Sequence, residues 1–252
     1  MTVDMFEYRF REELNKLEQF HPNDTRDPRV WPRRGSHEGE FSAWRALFSA
    51  LCLHRHSTGY RLPSYEEFFN FCESAYTKYH PKASRFEPYF RGVLLPGMRQ
   101  RVGVWYESGI AETYLYVCLA EAIEDRAKVG VVLYDPRADW KLKADTVVLV
   151  NGQATRVSAY LGHSEDRPQL EAERDVIEHE RKMKTSESAH WGNTYLQGMP
   201  VFEIAITESD VQIVNGCRLF SIGAVNDLLN KIYQRGEVPT ERQWTFRHRV
   251  RA

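Results

Sequence analysis

Along this chain the spacing of apolar positions switches between a period of two and a period near four, and the switches mark the elements. Around Asn151-Gly152 two β-branched runs alternate, Thr146–Val150 and Gln153–Leu161. An Asn-Gly pair between such runs predicts a two-residue hairpin, because a type I′ turn needs positive φ at both central positions. Counting outward from Val150 against Gln153 puts Val148 opposite Thr155, Val147 opposite Arg156 and Asp145 opposite Ser158. Asp145, Val147, Arg156, Ser158 and Tyr160 then share one face. Thr146, Val148, Val157, Ala159 and Leu161 share the other, an almost wholly apolar surface expected to face a core.

Helical spacing appears on both sides of this hairpin. Ile110–Asp125 reads as a helix after Gly109, with Glu112 on the stripe of Tyr116, Leu119 and Ile123. A carboxylate on an apolar stripe is costly when unpaired. It is accounted for either by a position near the helix N-terminus, where the dipole favours an acid, or by a functional role. Ser64-Tyr-Glu-Glu67 is a capping-box pattern opening a helix through Tyr65, Phe68, Phe69, Cys72 and Tyr76. Phe41–Leu53 also has helical spacing, and residues 20–40 are breaker-rich and read as a loop. A charged helix is expected from about Arg167 to Lys184, and short strands over Val129–Leu133 and Val201–Thr207. A second Asn-Gly pair, Asn215-Gly216, predicts a hairpin joining Val211–Val214 to Cys217–Phe220, followed by a Ser221-capped helix over Ile222–Tyr233. The organisation expected is a helical N-terminal region (1–101), a core (102–236) and a basic, aromatic tail (237–252). The fold class is α/β or α+β, with a central mixed sheet of about five strands closed by the second hairpin and helices on both faces.

Composition narrows the class without naming a function. With 252 residues, 42% of them apolar, the chain can bury a sizeable core. No stretch has the make-up of a signal peptide or a membrane span, and Cys52, Cys72, Cys118 and Cys217 contain no CxxC pair. These features suggest reduced core thiols in a cytoplasmic protein with no membrane partner. There is no P-loop or Rossmann glycine fingerprint, and no G-x-S-x-G elbow beside His190. Cys52, His54 and His56 are too closely spaced for a zinc site.

The order helix with an acid, short strand, hairpin with an acid, helix, strand resembles the restriction endonuclease-like fold, the PD-(D/E)XK superfamily. In that family a helix glutamate, a hairpin aspartate and an acid-x-lysine pair on the second hairpin strand hold Mg²⁺ and activate water for phosphodiester hydrolysis. The resemblance assigns metal binding to Glu112 and Asp145. It puts Ser158 where the second acid belongs and Tyr160 at the lysine position, so the pair is degenerate. Migration from the charged helix could repair it, with Lys182 as the catalytic lysine and Glu173, Glu178 or Glu180 as an acid. The alternative is that this helix is a solvated, salt-bridged face.

The net charge of −1 argues against a dedicated polyanion binder. The C-terminal segment differs locally: Arg242, Arg247, Arg249 and Arg251 surround Trp244 and Phe246, a composition suited to phosphate contact and base stacking. Three functions follow. The first is a nucleic-acid-binding or assembly component with a degenerate nuclease-like site, set by family analogy in a prokaryotic defence or mobile-element complex with protein partners. The second is a Mg²⁺-dependent DNA or RNA nuclease with a rearranged site. The third is a protein-interaction module with neither nucleic acid nor cofactor.

Overall fold

The strands on either side of Asn151-Gly152 pair in the register the sequence predicts. Strand β2 (Thr146–Val150) runs antiparallel to β3 (Gln153–Leu161) with Val150 opposite Gln153, Val148 opposite Thr155 and Val147 opposite Arg156. These elements belong to a computed structural model that describes residues 7–21, 29–30, 61–79, 83–125, 130–133, 146–150, 153–161, 201–206 and 211–234. Helices and a small mixed sheet make this an α+β chain. By contact the chain divides into two units. One comprises Met1–Tyr8, Tyr114–Gln212 and Phe220–Ala252, the other Arg9–Thr113 and Ile213–Leu219.

The first unit is built on a four-stranded sheet in the order β1-β2-β3-β4, with β1 spanning Gly130–Leu133 and β4 Val201–Ile206. β1, β2 and β3 are antiparallel neighbours, and β4 lies parallel to β3. Thr146, Val148, Thr155, Val157 and Ala159 are buried on one face of the sheet together with Val132. Residues Tyr114–Asp125 of a long helix pack against β1. The Tyr116 hydroxyl donates to the Val132 carbonyl at 3.1 Å. A Cβ at Gly130 would lie 2.7 Å from the Ile123 side chain and 2.8 Å from the Leu149 carbonyl oxygen, an approach only glycine permits. The final helix, Ile222–Gln234, is capped by Ser221, whose Oγ accepts from the Ala224 amide at 3.1 Å. Val225, Leu228, Leu229 and Ile232 form its buried stripe.

The second unit is mostly helical. It holds Arg9–Asn15 of α1 (Glu7–Asn15), α2 (Tyr65–Ser74) with a π-helical turn at Ala75–Tyr79, and α3 (Ala83–Arg91). It also takes Leu95–Thr113 of α4 (Leu95–Asp125), the long helix already met. The capping box is complete: Ser64 Oγ accepts from the Glu67 amide at 3.2 Å, and the Ser64 amide donates to Glu67 Oε2 at 2.8 Å. Its core is aromatic. Phe20 lies 5.3 Å from Tyr106 between ring centres, and Tyr76 lies 5.0 Å from Phe86, separations at which tilted rings attract. Polar tips are satisfied, Tyr106 donating to the Pro63 carbonyl at 3.0 Å and Tyr65 to that of Arg99 at 2.7 Å.

Three expectations are corrected. The helix carrying Glu112 does not begin after Gly109; it begins at Leu95, roughly four to five turns upstream, so the N-terminal dipole does not explain Glu112. Gly103 and Gly109 each cost about 1 kcal/mol in a helix, which packing overrides here. At Gly103 a Cβ would sit 3.5 Å from the Phe20 ring, and the Gly109 carbonyl accepts from Thr113 Oγ1 at 2.6 Å. The second hairpin, β5 (Val211–Val214) and β6 (Cys217–Phe220), forms a separate two-stranded sheet rather than closing the mixed one. The mixed sheet has four strands among the described residues, not five. The helices expected over 41–53 and 167–184, most of the 20–40 loop and the tail 237–252 lie outside the described residues.

Candidate functional site

Because β3 and β4 run parallel and in register, each residue of β3 has a lateral neighbour on β4. In the backbone register Val157, itself buried, neighbours Phe202, and the buried Ala159 neighbours Ile204. Successive strand residues alternate between faces, so the intervening positions belong to the opposite side. There Ser158 neighbours Glu203, flanked by the pairs Arg156 with Val201 and Tyr160 with Ala205. Ser158 is the position at which the resemblance expects an acid and the chain has none. In the backbone register Glu203 on β4 stands beside it.

The other expected site residues belong to the other unit or lie outside the described residues. Glu112 lies in the middle of α4, half-buried and engaged with other groups, within the second unit, whereas Ser158 belongs to the first. Asp145 precedes Thr146, the first residue of β2, and lies outside the described residues, as do Lys182, Glu173, Glu178, Glu180 and the tail with Arg242, Trp244, Arg247, Arg249 and Arg251. Among the described residues, no three His, Cys, Asp or Glu side chains gather in a metal-holding group, and no helix is long and apolar enough to cross a membrane.

Two buried polar networks had no sequence signal. In the first unit Glu7 is only 2% exposed; its Oε1 accepts from the Tyr114 hydroxyl at 2.7 Å, and its amide donates to Glu121 Oε2 at 2.7 Å. Gln212 Nε2 donates to the Tyr114 oxygen at 2.7 Å and to the Phe220 carbonyl at 3.0 Å. The Glu121 carboxylate thus meets the first amide of α1, where the helix dipole favours negative charge. In the second unit Arg218 grips Glu107 with two parallel bonds, Nε to Oε1 at 2.8 Å and an Nη to Oε2 at 2.6 Å. Its amide adds a third at 3.2 Å. Partners so distant in sequence leave no pattern to read, and both networks do the work of structure: each joins helix to strand or helix to helix within its own unit.

Burial keeps the thiols and phenols of these cores neutral. The Cys217 thiol is pushed up to about 12 by burial, reinforced by the Glu107 carboxylate. The Tyr65 phenol is raised to about 12 by burial, against the opposing pull of Arg99. Cys72, Cys118 and Cys217 are all buried and none forms a disulfide, and the raised Cys72 and Cys217 thiols are poor nucleophiles. No protein-family model, no curated protein and no solved structure matches this chain.

Proposed function

We propose that this protein handles nucleic acid on a restriction endonuclease-like core. The observation that supports the reading most is the sheet: a long helix is followed by three antiparallel strands and then by a fourth parallel to the third. A parallel neighbour requires a crossover of a dozen or more residues, commonly a helix, and residues 162–200 supply that length. These strands match part of the element order on which the resemblance rests; its second helix, at about 167–184, falls outside the described residues. Binding falls to the basic, aromatic tail, since the chain as a whole is nearly neutral. Affinity for single- or double-stranded DNA or RNA should fall steeply as salt rises, and removing the residues after Glu241 should flatten that dependence. A full-length protein with no affinity for any of these at low salt would sink the reading and favour a protein-interaction module.

The register of Glu203 beside Ser158 favours a second reading, Mg²⁺-dependent phosphodiester hydrolysis by a rearranged site. When bound there, a divalent cation would stabilise the developing charge and lower the pKa of a water molecule. Glu203 and Asp145 would hold it, and Ser158 would add a neutral oxygen. Lys182 would serve as the lysine that orients or polarises the attacking water. Cleavage of nucleic acid with Mg²⁺ or Mn²⁺, abolished in Asp145→Ala, is the expected result; its absence for the unaltered protein on all four substrates would exclude the activity.

A further inference from the structure

We infer that Tyr79, with Lys78 beside it and Arg85 on the neighbouring helix, is a stacking platform for the unpaired bases of a single-stranded nucleic acid, an inference that deepens the nucleic-acid reading above and rests on it. Tyr79 is a residue that the apolar pattern puts inside and the fold puts outside. Phe68, Phe69, Cys72 and Tyr76 repeat at helical spacing and are all buried. Continued at about 3.6 residues per turn, that stripe would next take in Tyr79, three positions beyond Tyr76 and seven beyond Cys72. Tyr79 is instead 80% exposed. The cause is the π-helical turn Ala75–Tyr79. With i→i+5 bonds it holds more residues per turn, so three positions complete a smaller part of a turn and Tyr79 is carried off the stripe. Tyr76 anchors the inner side of this turn, its ring 5.0 Å from that of Phe86 and stacked on Phe90 at 5.8 Å. Such turns recur at functional sites, and a large ring held in water against the local pattern is the kind of departure that binding residues make.

The surroundings select the ligand. Between Glu73 and Glu87 the sequence has three cations, Lys78, Lys82 and Arg85, and no acid. Lys82 lies outside the described residues, whereas Lys78 and Arg85 are exposed, Arg85 next to the Phe86 that packs on Tyr76. The near-zero net charge of the chain conceals a division. The unit that holds this turn has 17 Lys and Arg against 13 Asp and Glu, the other unit 17 against 22. A polyanion is therefore favoured on the helical unit, and an exposed ring among cations is the arrangement on which a single strand lays its bases. An acidic peptide would satisfy the cations and leave the ring unused. In a duplex the bases already stack on one another, so the ring again has no partner.

Fluorescence anisotropy of labelled oligo(dT), labelled oligo(U) and a labelled DNA duplex, titrated with the full chain at low salt, tests this. Tyr79→Ala should weaken binding of both single strands at least about fivefold, the lower end of what one stacked base contributes, and leave any duplex affinity within about twofold. Tyr79→Phe, which keeps the ring, should bind as the parent does. Lys78→Gln should lower the slope of log affinity against log salt on single strands by about 0.7, the share of one phosphate contact. Tyr79 lies far enough into solvent that these changes leave the core alone, and the far-UV circular dichroism should be unchanged. If Tyr79→Ala binds both single strands as the parent does, the inference fails and the exposed ring is assigned to a protein contact instead. An equal loss of affinity for the duplex also overturns it. Should removal of the residues after Glu241 weaken binding while Tyr79→Ala does not, the nucleic-acid reading stands without this platform. If the unaltered protein binds none of the three probes, both fall together.

Discussion

At Gly216 the backbone tolerates no side chain. Its φ of 82° lies in the left-handed region, and a Cβ there would stand 1.8 Å from the Phe20 carbonyl oxygen. Asn215, at φ 49°, uses the same turn to bind α1 and the chain beyond it, its Nδ2 donating to the Leu14 carbonyl at 2.7 Å and to that of Leu17 at 3.1 Å. The Phe20 amide in turn donates to the Asn215 carbonyl at 3.1 Å, so Phe20 cannot retreat without losing that bond. Gly216→Ala should therefore cost more than about 2 kcal/mol, the left-handed penalty of about 1–2 kcal/mol plus the displacement of Phe20. A urea midpoint indistinguishable from the parent would contradict this. Two residues on, Arg218 neutralises Glu107, whose side chain is 3% exposed. Arg218→Ala leaves that carboxylate buried without its cation and should cost about 3–5 kcal/mol, whereas the apolar pair Glu107→Leu with Arg218→Met should recover most of the loss. A double variant no more stable than the single one would show that the ion pair does more than neutralise charge.

The elements that could be read from the sequence are those fixed by contacts a few residues apart. Ser64 and Glu67 exchange their bonds across one helical turn, and the cap stands where the pattern put it. Ser64→Ala should cost about 1 kcal/mol by circular dichroism melts, and Ser64→Asp, which keeps an acceptor, a few tenths at most; equal losses would mean that the box contributes nothing. The register of β2 with β3 and the hairpin at residues 215–216 were equally legible, because a two-residue turn sets the register of its strands. What the sequence hid is set at a distance. The helix α4 runs through Gly109, the residue that reads as lying before it, and through Gly103, where a Cβ would come within 4 Å of the Phe20 and Tyr65 rings. That β5 and β6 pair only with each other depends on tertiary placement and not on their turn. The site divides in the same way. The facing of Thr146 and Val148 with Thr155 and Val157 was readable from the turn, but the level at which β4 joins β3 is carried by the crossover, so Glu203 beside Ser158 could not be anticipated. Glu203 was nonetheless visible as the one charge in an apolar strand.

At the scale of the whole molecule the chain is nearly neutral, so stability at ordinary pH owes little to the repulsion or attraction of net charge. Its stability on the alkaline side should depend on groups buried in their neutral forms. Cys217 ordinarily ionises near 9.0 and Tyr65 near 10.0, and the folded chain raises both to about 12. Cys72, Tyr106 and Tyr114 are pushed up as well, burial being the largest cause in each. For every one of these the folded state holds its proton more tightly than the unfolded state does. Below about pH 9 both states are protonated and the stabilisation is fully present. As pH rises beyond that, the unfolded chain releases protons that the folded chain keeps, and stability falls by up to about 1.4 kcal/mol per pH unit for each group in its window. For Cys217 and Tyr65 the loss is complete near pH 12. Urea midpoints measured under reducing conditions should therefore hold steady from neutral pH to about pH 8.5 and then drop steeply. Cys217→Ala should lose some stability at neutral pH through the lost packing and show a shallower alkaline decline than the parent. A midpoint that stays level through pH 10, or a variant whose alkaline slope equals the parent's, would show that these buried thiols and phenols open to solvent before they titrate.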